Sequence, residues 1–142
     1  MKQNKYIAVS ACLVGCNCKY NGKNNYNERV MRFLEGKNVI EVCPEVMGGL
    51  STPRVPCELV DGVAFNKNGE NVNDAFEKGT EAALEKLSRY EIECVILQSR
   101  SPSCGVNSIY DGTFTGKIIK GSGKFAAALK KRGYKVIDAE DI

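Results

Sequence analysis

Val95-Ile96-Leu97-Gln98, running on to Ser101-Pro102-Ser103-Cys104-Gly105, is the stretch that decides the fold. Its first part is a short apolar run rich in β-branched residues, the pattern of a strand buried on both faces. Its second part is a tight polar turn that ends in a thiol. Two earlier stretches repeat the arrangement: Ile7-Ala8-Val9-Ser10-Ala11-Cys12 and Val39-Ile40-Glu41-Val42-Cys43-Pro44-Glu45. Strands buried on both faces belong to parallel sheets, and residues that follow parallel strands gather at the carboxyl edge, where ligands bind. Cys12, Cys43 and Cys104 could therefore meet at one point, as metal ligands or around a nucleophile.

Working outward, strands are expected over 6–11, 38–43, 94–98 and 134–137. Helical periodicity separates them. Val30, Met31, Phe33 and Leu34 mark a helix over 27–35, with Gly36 as its stop. A longer helix starts near Asn73, which is placed to cap it, with Asp74 and Glu77 favouring its positive end. Its apolar face is Ala75, Phe76, Gly79, Ala82, Ala83 and Leu87. A third helix over 122–131 turns Phe125, Ala128 and Leu129 inward and stops at Gly133. Residues 59–65 read as a hairpin around Asp61-Gly62. Residues 15–25 and 44–56 read as loops, the second constrained by Gly48-Gly49 and three prolines, and 105–120 as irregular or hairpin-like. Alternating strands and helices predict one α/β domain over residues 1–142, three-layered and Rossmann-like, with a mainly parallel sheet.

Composition narrows the function classes. With 142 residues, 43% hydrophobic and 26% charged, the chain can bury a core without staples. A net charge of +3 allows an anionic small molecule and requires no nucleic acid. No stretch approaches the ~18 apolar residues of a membrane span. Met1–Lys5 runs straight into a strand without an apolar targeting segment, so a cytoplasmic protein is expected. In that compartment seven cysteines, an odd number, do not suit a disulfide framework. There is no histidine, which removes the commonest general base and the commonest zinc ligand together.

Each motif has a plainer reading beside it. A single cysteine is most often a small core residue, and that suits Cys94, inside a strand. Cys12, Cys43 and Cys104 have turn or polar neighbours and fit it less well. A helix starting just beyond Cys104 would lower its pKa. Cys16 and Cys18 offer half of a zinc knuckle pattern and no second half. Gly116 to Lys124 has the glycines of a phosphate loop but not its Lys-Ser/Thr ending, and reads as a flexible turn whose helix-start amides could hold an anion. Glu45 alone reads as a surface glutamate.

Taken together, the motifs resemble a known family. Ser10-Ala11-Cys12-Leu13-Val14-Gly15 with Cys18-Lys19-Tyr20-Asn21-Gly22 resembles its first signature. Cys43-Pro44-Glu45-Val46-Met47-Gly48-Gly49-Leu50-Ser51-Thr52-Pro53-Arg54 resembles its second. Ser99-Arg100-Ser101-Pro102-Ser103-Cys104-Gly105, followed by Ile109-Tyr110-Asp111-Gly112-Thr113-Phe114-Thr115-Gly116, resembles its third. The chain is similar to single-domain thiouracil desulfidases from about residue 6 onward. Asn21 stands where the family usually has Asp, Cys57 where it usually has Ala, and Cys16 is an added thiol.

The resemblance implies an enzyme that removes sulfur from thiolated nucleobases or their nucleotides. It implies a [4Fe-4S] cluster held by Cys12, Cys43 and Cys104, with one iron open to substrate, and acid–base roles for Glu45 and Ser101. Thiolate ligands suit iron–sulfur clusters, and three of them leave one iron free. The expected partner is a small thiolated base or nucleotide, with no membrane and no DNA; RNA is allowed but not indicated. Two other readings stay open. Cys104 could carry a persulfide without any cluster, or the chain could be a non-catalytic metal- or thiolated-RNA-binding module.

Overall fold

The computed structural model describes residues 5–142. Residues 1–4, part of the stretch read as lacking a targeting segment, lie outside the described residues. In chain order, β1 (Tyr6–Ser10) runs into a 3-10 turn over Ala11–Val14, then α1 (Glu28–Leu34), β2 (Asn38–Val42) and the short α2 (Pro44–Met47). A hairpin of β3 (Cys57–Val60) and β4 (Val63–Asn66) leads to α3 (Asn73–Ser88) and β5 (Ile92–Leu97). A second hairpin, β6 (Ser108–Tyr110) and β7 (Ile118–Lys120), precedes α4 (Lys124–Lys131) and β8 (Val136–Asp138).

The central sheet has the order β2-β1-β5-β8, and all its pairings are parallel. The alternation of side chains along β1 and β5 builds a core on each face. Ala8, Val95 and Leu97 pack with Leu84, Leu87, Phe125 and Leu129, so α3 and α4 cover one face. Ile7, Val9, Cys94 and Ile96 pack with Leu13, Val30 and Leu34, so α1 and the 3-10 turn cover the other. This is the three-layer α/β arrangement expected from the sequence. Burial on both faces explains why β5 reads as one apolar run. Cys94 is a core residue, as its place in the strand suggests. Among the described residues, no helix is long and apolar enough to cross a membrane.

Four local readings change. The stretch 44–56 is not all loop: Pro44 occupies the first helical position of α2, where its missing N–H costs nothing. Asn73 does not cap α3. Its Oδ1 accepts from Ala64 N at 3.1 Å, while Asn71 Oδ1 takes the Asn73 amide at 2.9 Å. The segment 116–124 contains β7 and is not a featureless turn. No helix follows Cys104; the chain turns and enters β6.

Two glycines position α2. A Cβ on Gly79 of α3 would fall 1.7 Å from the Pro44 carbonyl oxygen, and one on Gly48 would fall 2.0 Å from the Ala75 carbonyl oxygen. The two helices therefore touch backbone to backbone, a contact only glycine permits at those points. It holds the residues next to Cys43 against the rigid α3.

Candidate active site

Cys12 lies in the 3-10 turn directly after β1, Cys43 at the junction of β2 and α2, and Cys104 in the turn beyond β5. All three sit beyond carboxyl ends of adjacent parallel strands, and all three line one cavity of about 620 Å³. Glu45 and Ser101 line the same cavity. Among the described residues, no three Cys, Asp or Glu side chains stand close enough to hold a single metal ion.

The thiols differ in environment. Burial pushes Cys104 up to about 12, against hydrogen bonding with Ser10 and a longer contact to Ser103 Oγ at 3.7 Å. Burial also raises Cys12, although the Asn25 amide donates to its Sγ at 3.4 Å. Cys43 is lowered, first by a hydrogen bond from the Cys18 thiol and also by the Val46 amide at the start of α2. Cys18 is correspondingly raised by that hydrogen bond and by burial. Cys18 is thus a buried partner of Cys43, a role that its half-knuckle pattern did not suggest. The Glu45 charge adds to the upward push on Cys12, Cys43, Cys57 and Cys104, all of which line the same cavity as the carboxylate.

Glu45 is not a surface glutamate. Its side chain is 13% exposed and its Oε1 accepts from Arg54 Nε at 3.3 Å. Arg54, 8% exposed, is itself fixed by the Cys18 carbonyl at 2.9 Å, the Thr52 hydroxyl at 3.1 Å and the Ser51 carbonyl at 3.3 Å. The other carboxylate oxygen, Oε2, accepts from Ser103 Oγ at 2.9 Å. Ser103 Oγ also lies 3.1 Å from Ser101 Oγ. A hydroxyl has one proton to donate. With the Ser103 proton on the carboxylate, the proton between the serines comes from Ser101. A hydrogen-bonded chain therefore runs from Ser101 through Ser103 to Glu45. Ser101 Oγ further accepts from the amides of Ser103 and Cys104 at 3.2 and 3.0 Å, which ties it to the turn that presents Cys104.

The start of α4 fastens that turn. The Gly123 amide donates to the Gly105 carbonyl at 2.8 Å, Lys124 to Pro102 at 2.9 Å, Phe125 to Ser103 at 2.9 Å and Ala126 to Ser103 at 3.0 Å. A Cβ on Gly123 would fall 2.5 Å from the Ser103 carbonyl carbon, so only glycine allows the approach. These amides are spent on the protein's own carbonyls. The anion site suggested for this helix start is not available.

With the geometry in place, three comparisons agree. The sequence model of the 2-thiouracil desulfurase family matches residues 7–141. The chain belongs to that family. Among relatives, it is 38% identical over 146 residues to the uncharacterized protein YbbK of Bacillus subtilis (strain 168), covering 96% of this chain and 97% of that one. Among solved structures, it matches a [4Fe-4S]-dependent thiouracil desulfidase, TudS, at 35% identity and a TM-score of 0.89, over 98% of this chain and 93% of that one. The family resemblance read from the three cysteine motifs is confirmed, and the α/β fold of this 2-thiouracil desulfurase family member is the fold of TudS.

Proposed function

We propose that this chain, acting as one desulfidase-like α/β domain over residues 1–142, converts a thiolated pyrimidine base or nucleotide to its oxo form and releases sulfide. The observation that carries the reading is the meeting of three strand-end thiols with the Ser101–Ser103–Glu45 chain on one cavity. The family match and the 35% identity to a thiouracil desulfidase of the same fold support it. A cavity of about 620 Å³ is of the size that takes small-molecule ligands.

The donor set suits an iron–sulfur cluster: three thiols line the cavity and the chain has no histidine. Cys12, Cys43 and Cys104 would hold a [4Fe-4S] cluster, which when bound supplies a soft Lewis acid with one iron open to the substrate sulfur. The high thiol value of Cys104 is no obstacle, because coordination deprotonates a thiol outright.

The reaction balances with water alone. A thiopyrimidine and water give the oxo-pyrimidine and hydrogen sulfide, and the ring carbon keeps its oxidation state. The chemistry is therefore hydrolytic and needs no electron donor. Glu45 is the general base that takes a proton from the attacking water. Arg54 and Ser103 each engage one of its oxygens and fix its direction, and each oxygen keeps a further acceptor site for the water. The Ser101–Ser103 chain donates toward the carboxylate and keeps Oε2 aimed, and the proton that Glu45 takes leaves with the sulfide. A persulfide carried on Cys104 is disfavoured, since a buried thiol pushed up to about 12 holds little thiolate at neutral pH.

The test is anaerobic reconstitution with iron and sulfide, followed by incubation with 2-thiouracil and assay of uracil and sulfide. Stoichiometric uracil and sulfide are expected. Reconstituted protein that binds 2-thiouracil without releasing sulfide would leave a binding module in place of an enzyme.

A further inference from the structure

Three non-glycine residues hold a left-handed backbone: Asp61 (φ 48°), Arg100 (φ 60°) and Phe114 (φ 59°). Asp61 precedes Gly62 in the β3–β4 hairpin, whose two-residue turn requires that conformation. The other two line the active-site cavity. For a bulky aromatic side chain this backbone is rare and unfavourable, so something must impose it. Residues held this way cluster where function demands a particular aim.

At Phe114 the imposing group is Glu58. Its Oε1 accepts from the Gly112 amide at 2.9 Å and from the Phe114 amide at 3.1 Å. The rest of the loop is equally fixed. Asp111 Oδ1 accepts from the Thr113 amide at 2.9 Å, and the Asp111 amide donates to the Lys117 carbonyl at 2.9 Å. Gly112 sits so close to β3 that a Cβ there would fall 2.5 Å from Val60 Cγ2 and 2.9 Å from the Leu59 carbonyl oxygen. The tip of the β6–β7 hairpin is thus seated on the β3–β4 hairpin and presents Phe114 at the cavity wall in one backbone conformation.

We propose that Phe114 is the face on which the pyrimidine ring of the substrate stacks, and that Glu58 is the positioning residue that presents it. The ring's identity rests on the desulfidase reading. The chemistry needs the flat ring turned so that its sulfur meets the thiol-lined side while water reaches the ring carbon from Glu45. Tyr20 and Tyr110 line the cavity too, but Phe114 is the aromatic lining residue whose backbone is held left-handed. The Arg54 and Arg100 guanidinium planes could also face a ring but are tied to Glu45 and Glu140. Thiols, carboxylates and hydroxyls make much of the remaining wall, and none of them orients a flat ring by its face. An aromatic side chain does, with little entropy to lose when its backbone is already held.

The experiment measures binding of 2-thiouracil and, separately, of uracil to reconstituted protein by calorimetry, with iron content confirming the cluster. Variants are Phe114→Ala, Phe114→Leu, Phe114→Tyr and Glu58→Ala. Loss of one base–aromatic stack weakens binding by about five- to 150-fold. Phe114→Ala is expected to lose affinity in that range for both ligands, Phe114→Leu to lose less, and Phe114→Tyr to match the parent. Glu58→Ala should raise KM with kcat nearly unchanged. Phe114→Ala and Phe114→Leu that bind as tightly as the parent would overturn the proposal, as would a parent protein that binds neither pyrimidine. If the parent binds 2-thiouracil but releases no sulfide, the desulfidase reading fails. A loss of affinity in Phe114→Ala would still support the stacking role.

Discussion

Ser103 Oγ donates to Glu45 Oε2 at 2.9 Å, joining the turn beyond β5 to the first turn of α2. The two residues are 58 positions apart in sequence and meet only because β2 and β5, on either side of β1, end at the same edge of the sheet. Ser103 is 2% exposed, so water does not readily take its place. Ser103→Ala leaves the carboxylate with Arg54 alone and cuts the link to Ser101. Turnover per iron is expected to fall about tenfold, less than the loss of the base itself. Ser103→Thr, which keeps the hydroxyl, should recover most of it. Unchanged turnover in Ser103→Ala would remove the serine chain from the mechanism.

The cysteines sort by place. Cys12→Ala, Cys43→Ala and Cys104→Ala are each expected to lose the visible absorption of the cluster and all activity. Cys94→Ala should keep iron and activity and lower stability by about 1 kcal/mol, an ordinary core truncation. Cys18→Ala is the informative case. It removes the hydrogen bond that lowers the Cys43 thiol, so cluster assembly should slow while the finished cluster forms. Complete failure to load iron in Cys18→Ala, with Cys12→Ala still loading, would make Cys18 the ligand in place of Cys12.

The glycine contact between α2 and α3 has a measurable consequence. Gly79→Ala puts a methyl 1.7 Å from the Pro44 carbonyl oxygen, with backbone rather than a flexible side chain in the way. Overpacking of this kind costs about 1–3 kcal/mol. Because α2 moves with it, Cys43 and Glu45 shift too. Thermal unfolding and iron content should both fall. Full iron occupancy with normal stability would mean that α2 is not held by this contact.

Alkaline pH should weaken the cluster-free protein. Burial raises the Cys104 thiol from 9.0 to about 12 and the Cys57 thiol from 9.0 to about 11. A folded value above the unfolded one means stability is intact below about pH 9. It then falls as pH rises, because the unfolded chain ionises first. The urea midpoint is therefore expected to rise slightly from pH 7 to 8.5, where the lowered Cys43 thiol ionises in the folded chain first, and to drop between pH 9 and 11. Cys57→Ser should flatten part of that drop. A midpoint that rises across the range of that drop would contradict the burial of both thiols.

Much of this was legible in the sequence because it depends on local pattern. The apolar runs at Val95–Leu97 and Ile7–Val9 signal strands buried on both faces, and the thiols that follow them end at one sheet edge. The family signatures carried Glu45. What was illegible depends on tertiary contact. Ser103, Arg54 and Cys18 are ordinary turn and loop residues until the fold sets them against Glu45 and Cys43. The free amides of α4 looked like an anion site because only the folded chain brings the carbonyls of Pro102, Ser103 and Gly105 to them. α2 did have a local signal. Pro44 directly after a strand-ending cysteine is a first helical position as readily as a loop residue.

Glu45→Gln tests the proposed base most directly. The amide keeps an oxygen for Ser103 and the size of the side chain but cannot take a proton from water. General acid–base help is worth ~10²–10⁴ in rate, so turnover per iron should drop at least about a hundredfold, with 2-thiouracil still bound. Removing one partner of a buried ion pair is often strongly destabilising because the other charge is orphaned. Here Arg54 keeps the Cys18 carbonyl, the Thr52 hydroxyl and the Ser51 carbonyl as acceptors, so the fold should survive and the cluster load. Arg54→Gln is the matching control, since it leaves the carboxylate but frees its direction, and it should cost less than Glu45→Gln. Near-parent turnover in Glu45→Gln, after normalising for iron, would leave Glu45 as a structural neighbour of Cys43 and assign the proton to another group.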